Sequence, residues 1–339
     1  MTGVPLTKIP VSILDRANSR SGGTEAQALS ATANRARRAE ELGYHRFWVA
    51  EHHSVPGIAG SAPTVLMGII AARTERIRVG SGGVMLPNHQ PLVVAEQIAT
   101  LQALFPGRID LGVGRSVGFT PAVRQALRQD KDGADRFETD LAELLEFLTG
   151  EAAITTRPYD GGATPPFVLA TGQGADIAAR AGLAVVVGGP AYTGRMGMPT
   201  ALARYRRNFR PSRWYPEPYV IVSANVAVAA TAGQARELLL PEAWALAQSR
   251  TRGEFPPLEP VESVRWGQLT GRQQKLIDES LASSIYGSPE DVAEQLARLL
   301  DATGANEFMV TGNTFDPAAL ADSDARLAEL MGLHSRSPA

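Results

Sequence analysis

The sequence predicts an α/β protein, a (β/α)8 barrel of the TIM type with long insertions over its C-terminal mouth. Three observations carry that prediction. Eight short, nearly continuous apolar runs alternate with helix-like segments, as parallel strands buried on both faces require. Three consecutive runs end in polar residues, at Glu51-His52-His53, Pro87-Asn88-His89 and Gly114-Arg115. In a parallel barrel such strand ends converge on one mouth, where the chemistry sits. The length of 339 residues suits one large barrel, so residues 1–339 are read as a single domain.

The first strand is placed at residues 8–14. Thr24-Glu25-Ala26-Gln27 then has the form of a capping box, and Gly43 stands where a glycine would end that helix. Strand two is expected at 44–50 (YHRFWVA), and Ser61-Ala62-Pro63 opens the next helix with serine as cap. Strand three is read over 76–85. Pro91 starts a helix through Leu104, closed by Phe105-Pro106-Gly107. Strands four, five and six fall at 108–113, 167–170 and 183–188, with a short helix from Gly174 to Ala181 ended by Gly182. Strand seven is expected at 219–228 and strand eight at 306–311. Between them Ser288-Pro289-Glu290-Asp291 caps a helix running to about Leu300. The intervals 189–218 and 231–288 are too long for simple crossovers and are read as insertions over the mouth.

Composition narrows the function. A 44% hydrophobic and 20% charged chain is ordinary for a soluble globular protein. A net charge of −2 gives no electrostatic reason to expect nucleic acid or an anionic membrane as partner. Arginines such as Arg35, Arg37 and Arg38 lie on helix-like segments with acidic neighbours and are read as solvated helix faces. With no cysteine, disulfides, thiolate metal sites and a cysteine nucleophile are excluded. The amino terminus lacks a basic segment followed by an apolar one, and no run approaches eighteen apolar residues, so a cytoplasmic location is expected.

Four places could carry chemistry. Neighbours on a strand point to opposite faces, so His52 and His53 cannot both face the axis; one imidazole lines the pocket and handles protons near neutral pH. Five histidines are present. A metal-binding triad of Glu51, His53 and His89 is conceivable, but no spaced ligand pattern accompanies it, and no metal is expected. Three glycines within Gly80-Ser81-Gly82-Gly83 weaken a strand. They mark either a steric concession to a neighbour or bare backbone for a planar ligand to lie against. Arg115 offers an always-charged fork suited to phosphate, or a rim ion pair. Thr171-Gly172-Gln173-Gly174 links a strand to a helix amino terminus, where amides and the helix dipole favour an anion. No dinucleotide fingerprint, P-loop or nucleophile elbow is present.

The runs YHRFWVAEHHSVPGIAGSAP and RIRVGSGGVMLPNHQPLVVAEQIATLQALFPGRIDLGVGR, with the later YGSPEDVAEQL and NEFMVTGNTFD, resemble bacterial luciferase-like flavin-dependent monooxygenases. The resemblance runs from about Ile9 to Leu330 and is nearest to the single-chain type of secondary metabolism. It implies a TIM barrel that binds reduced FMN, delivered by a separate reductase. The bound flavin reacts with O2, and the resulting C4a-peroxyflavin oxygenates a small organic substrate. Carried over residue by residue, His52 handles protons at the reactive edge of the flavin. Gly82, Gly83 and Val84 support the ring, with a cis peptide at Gly82–Gly83. Arg115 with Thr171, Gly172, Gln173 and Gly174 receives the phosphate. A dimer is implied. Three positions depart from close relatives: Ser116-Val117-Gly118 in place of Ala-Pro-Gly, the Thr171–Gly174 turn in place of Gly-Ser-Ser, and Gly188-Gly189-Pro190 in place of a His-Phe pair. Two alternatives stay open: hydride transfer with the deazaflavin F420, which relatives in the superfamily use, and, from the altered phosphate turn, a barrel that serves as a non-catalytic flavin-binding subunit.

Overall fold

The computed structural model describes residues 5–170, 173–188 and 197–334. The chain alternates as predicted through β1 (Val11–Asp15), α1 (Glu25–Leu42), β2 (Arg46–Val49), α2 (Pro63–Ala72) and β3 (Arg78–Ser81). It continues through β4 (Val84–Met85), α3 (Pro91–Leu104), β5 (Ile109–Gly114), α4 (Pro121–Ala126) and α5 (Phe137–Thr149). Next come β6 (Pro166–Leu169), α6 (Gly174–Ala181), β7 (Ala184–Gly188), α7 (Gly197–Asn208) and β8 (Val220–Val228). The last part holds α8 (Ala232–Arg252), α9 (Val261–Trp266), α10 (Gly271–Ala282) and β9 (Ile285–Gly287). It ends with α11 (Pro289–Thr303), β10 (Glu307–Thr311) and α12 (Pro317–Leu330).

All the strand pairings are parallel, and the sheet closes because β10 pairs with both β1 and β8. The result is an eight-stave (β/α)8 barrel, the fold the sequence predicts. The stave expected at 76–85 is interrupted. β3 pairs with β2 and β5, the chain breaks at Gly82-Gly83, and β4 resumes against the far end of β5. The last three residues of β8 leave the barrel and take β9 as their partner.

Local signals set most helix ends. Thr24 accepts from the Gln27 amide and Gln27 returns the bond, while Gly43 closes α1 at φ 87°, a conformation glycine adopts without the Cβ penalty. α3 and α6 have the predicted bounds. For α2 the cap is Ala62, with no side-chain bond, rather than Ser61; Pro63 at the first position still fixes the start. Residues 231–288, expected as an insertion, are largely helical. α8 packs on α10 through a small apolar cluster of its own, including Leu239, Leu240, Ile277 and Leu281. The first eight residues of 189–218 lie outside the described residues.

The main core lies between barrel and helices. Inside the barrel, Trp48, Phe167, Ile221 and Met309 form a second apolar layer, with the Trp48 and Phe167 rings edge to face at 4.9 Å. Below it, at the N-terminal ends of the strands, charges fill the barrel. Arg46 bridges Asp110 at 2.8 Å and Glu307 at 3.0 Å, Arg78 holds Asp110 at 2.6 Å, and Tyr219 donates to Glu307 at 2.8 Å. Buried charge is tolerated only when paired and hydrogen-bonded, and this layer meets both conditions. The barrel interior is therefore filled at its floor by paired charge. Arg35 corrects the sequence reading: it is buried, bonded to Asp15 at 2.9 Å and Asp324 at 2.8 Å, and ties α1 to β1 and α12.

Candidate active site

Strand register gathers the predicted strand ends on one rim. Val49 pairs with Ser81, and the Gly82 amide donates to the Val49 carbonyl at 2.8 Å. Met85 pairs with Gly114, which sets Arg115 beside the segment that follows β4. His52, Gly82–Val84 and Arg115 thus belong to neighbouring staves at the C-terminal end. Thr171 and Gly172 lie outside the described residues. Gln173 is exposed and caps α6 without a side-chain bond. Gly174 is buried, where a Cβ would meet that of Ala170 at 3.2 Å. The first turn of α6 already holds one carboxylate, Asp176, paired with Arg204 at 2.6 Å.

His52 is held by its backbone, whose N–H donates to the Gly60 carbonyl at 2.8 Å. Its ring stacks on Phe119 with centroids 5.9 Å apart and planes 16° from parallel. The Nδ1 atom is shut away from solvent and has no hydrogen-bond partner among the described residues. Burial, helped by the nearby Arg16 cation, lowers the His52 pKa to about 4. At neutral pH this imidazole is uncharged, and its buried Nδ1 is without a partner among the described residues. Arg16 itself, just past β1, pairs with Glu242 of α8, whose other oxygen accepts from the Asn313 amide at 2.6 Å. Through Glu242, α8 thereby touches the segments that follow β1 and β10.

Glu51 and His53 turn away from His52 toward a separate group. The Glu51 carboxylate is completely buried and accepts from His53 Nε2 at 2.7 Å and His89 Nε2 at 2.8 Å. Its second oxygen accepts from the Met85 amide at 3.0 Å. Burial alone would raise the Glu51 pKa; the bonds from His53, His89 and Met85 outweigh it and bring it to about 2. The expectation that neighbouring histidines part company holds, and the three residues of the conceivable triad do come together.

The glycine patch has its reason in packing. A Cβ on Gly82 would fall 2.4 Å from Leu14 Cδ1, one on Gly83 2.8 Å from the Gly112 carbonyl oxygen, and one on Gly112 2.1 Å from that of Ser81. The Gly82–Gly83 peptide is cis, as the resemblance implies. The steric concession weighed in the sequence is therefore real. Bare backbone at the rim coexists with it, since Gly83 is half-buried and a Cβ on Gly114 would meet nothing within 4 Å. Arg115 makes no ion pair among the described residues and is half-buried. Sequence reasoning missed Phe119 and Arg16, whose only signal was proximity to the polar strand ends; the Glu51, His53 and His89 grouping it had named as conceivable.

The family model for luciferase-like monooxygenases matches residues 9–307. The chain belongs to that family. An Escherichia coli luciferase-like monooxygenase is 36% identical over 321 residues, 92% of this chain and 93% of that protein. The N-acetyl-S-alkylcysteine monooxygenase of Bacillus subtilis is 48% identical over 150 residues, covering 44% and 45% of the two chains. Among solved structures, apo-MsnO8 superimposes with a TM-score of 0.86 at 32% identity, covering 98% of this chain and 100% of that one. Two more distant structures share the fold alone. One is the oxygenating constituent of Pseudomonas putida 3,6-diketocamphane monooxygenase in complex with FMN (TM-score 0.68, 18% identity, 95% and 97% covered). The other is an F420-dependent secondary alcohol dehydrogenase (0.69, 17%, 96% and 99%). No helix among the described residues is long and apolar enough to cross a membrane.

Proposed function

We propose that this luciferase-like monooxygenase uses reduced FMN and O2 to oxygenate a small organic substrate, in a secondary-metabolic setting. The observation that carries the reading is His52, a neutral imidazole with an unpartnered buried nitrogen at the rim of a barrel whose floor is filled by paired charge. The residues at the mouth fit a flat anionic cofactor. Gly114 leaves open space, Gly83 presents backbone, and Arg115 is a cation with no ion pair among the described residues. Arg115, with the turn that enters α6 at Gln173 and Gly174, would hold the phosphate; Gly82, Gly83 and Val84 would support the ring.

When bound, reduced flavin supplies two electrons to O2, so that one oxygen atom passes to the substrate and the other leaves as water. The chain's part is to shape and dry the site and to move a proton. His52 is uncharged at working pH, so it accepts a proton at a ring nitrogen or donates from the other. Phe119 stacks beside that ring. Arg16 beside it opposes a lasting imidazolium, which favours prompt return of any proton taken up.

The chain carries no NAD(P)H fingerprint, which supports a separate flavin reductase as partner. A dimer has a candidate face in α2 and α3. Val65 is 65% and Ile69 44% exposed on the first, and Leu104 is 67% exposed on the second. A shallow cleft between α1 and α2 continues that apolar surface.

The test is an anaerobic titration with FMNH2, alongside oxidised FMN and F420, followed by admission of air. Preferential binding of FMNH2, with oxygen uptake and substrate-dependent turnover, is the expected result. Selective binding of F420 would move the chain to deazaflavin hydride transfer, and no binding of any flavin would favour a non-catalytic subunit.

A further inference from the structure

Among the described residues, six carboxylates are buried: Asp15, Glu51, Asp110, Glu242, Glu307 and Asp324. Five of them contact an arginine. Arg35 holds Asp15 and Asp324, Arg46 and Arg78 hold Asp110, Arg46 holds Glu307, and Arg16 holds Glu242. Glu51 differs. Its side chain is completely buried, yet it has no arginine or lysine in contact, only two imidazoles and one amide. A buried carboxylate without a permanent countercharge is costly, and here its two side-chain partners are imidazoles, which can ligate metals.

We propose that Glu51, His53 and His89 form a binding site for a divalent first-row transition ion. Two imidazoles and one carboxylate are a donor set such ions favour. The three ligand atoms lie within 4.8 Å of one another, and both Nε2 atoms converge on the same Glu51 oxygen at 2.7 and 2.8 Å. Around an ion with bonds of about 2.1 Å, neighbouring ligand atoms stand about 3.0–3.4 Å apart, so each imidazole retreats from the oxygen by a few tenths of an ångström. The Met85 amide keeps the other Glu51 oxygen fixed meanwhile. The imidazoles have side-chain exposures of 20% and 31%, which gives the ion an entry path and leaves room for water ligands. Each ring would turn an Nε2 lone pair toward the ion, whose charge offsets that of the buried Glu51 carboxylate. The three ligands come from the loop after β2 and from the turn that follows β4. An ion there would pin these two segments together next to His52.

The experiment uses the full chain without an affinity tag, stripped with chelator and free of flavin, titrated with Co2+. One equivalent per chain with visible ligand-field absorption is expected. Affinity is expected to fall at least about 100-fold in both His53→Ala and His89→Ala, beyond what loss of an outer-shell partner produces. Circular dichroism confirms that both variants are folded, and His334→Ala is expected to bind as wild type does. The absence of saturable uptake overturns the proposal. So does uptake unchanged by the two histidine substitutions, which would mark an adventitious ion only. Because no flavin is present, failure here leaves the monooxygenase reading untouched.

Discussion

His52 shows how much one environment can fix about a side chain. Burial and Arg16 bring its pKa to about 4, against about 6.5 in the unfolded chain. The sign follows directly. Above pH 6.5 neither state is protonated and the group has no effect on stability. Between 6.5 and 4 the unfolded chain binds a proton that the folded chain refuses, so stability falls as pH falls. His52→Asn removes that titration. The variant is expected to lose roughly 1–2 kcal/mol less than wild type between pH 7 and pH 5 in urea melts. A residual slope remains, because burial also lowers the His45 pKa. Glu51 acts lower on the scale: its contribution is present above pH 4.5 and is lost as pH falls toward 2. For catalysis, His52→Ala is expected to lower kcat/KM by about 10²–10⁴-fold, with flavin affinity measured in parallel to separate proton handling from binding. His52 was legible because a polar triplet ends an apolar run. Its neighbour Phe119 was not, since a stacking contact across 67 residues leaves no local trace.

At the scale of elements, what the sequence displayed best was whatever is encoded within a few residues. The capping box of α1, the prolines that open α3 and α11, and the glycines that close α1 and α6 all stand where they were read. Two kinds of feature escaped. β9 is three residues long and pairs only because the end of β8 leaves the barrel, so it lacks the length from which a period could be read. The floor of the barrel escaped for a different reason. Arg46, Asp110 and Glu307 each begin or nearly begin a strand and look like ordinary polar boundaries, while their pairing spans up to 261 residues of sequence. Arg35 and Asp324, 289 residues apart, are the same case on the outside. The floor yields a sharp expectation. Arg46→Met removes the shared partner of two buried carboxylates and is expected to cost about 3–5 kcal/mol of unfolding free energy in urea denaturation. The exposed pair Arg180–Glu138 serves as a control, where Arg180→Met is expected to cost under about 1 kcal/mol.

For the molecule as a whole, the two ends of the barrel are built on opposite terms. The floor is crowded with paired charge, whereas the mouth holds a neutral imidazole and an arginine without an ion pair among the described residues, and α8 touches the segments after β1 and β10 through Glu242. Outside, α2 and α3 leave large apolar side chains in water, more than single scattered residues would. If that face joins two copies, Val65→Glu with Ile69→Glu converts a dimer into monomers. Light scattering after size exclusion measures this, with the far-ultraviolet spectrum unchanged. A wild-type chain that is already monomeric would remove α2 as an assembly surface.

Trp48 gives the barrel a further property. It is fully buried, its Nε1 donates to Asp110 at 3.1 Å, and its indole lies against the strand that carries the glycine patch, so close that a Cβ on Gly80 would fall 2.5 Å from the nitrogen. The chain has four tryptophans, and this one stands beneath the proposed resting place of the cofactor ring. With Trp214, Trp244 and Trp266 replaced by phenylalanine, its emission becomes an internal optical gauge. Dimming on loading and recovery on release would let occupancy be followed in real time, without a label and before any substrate is known.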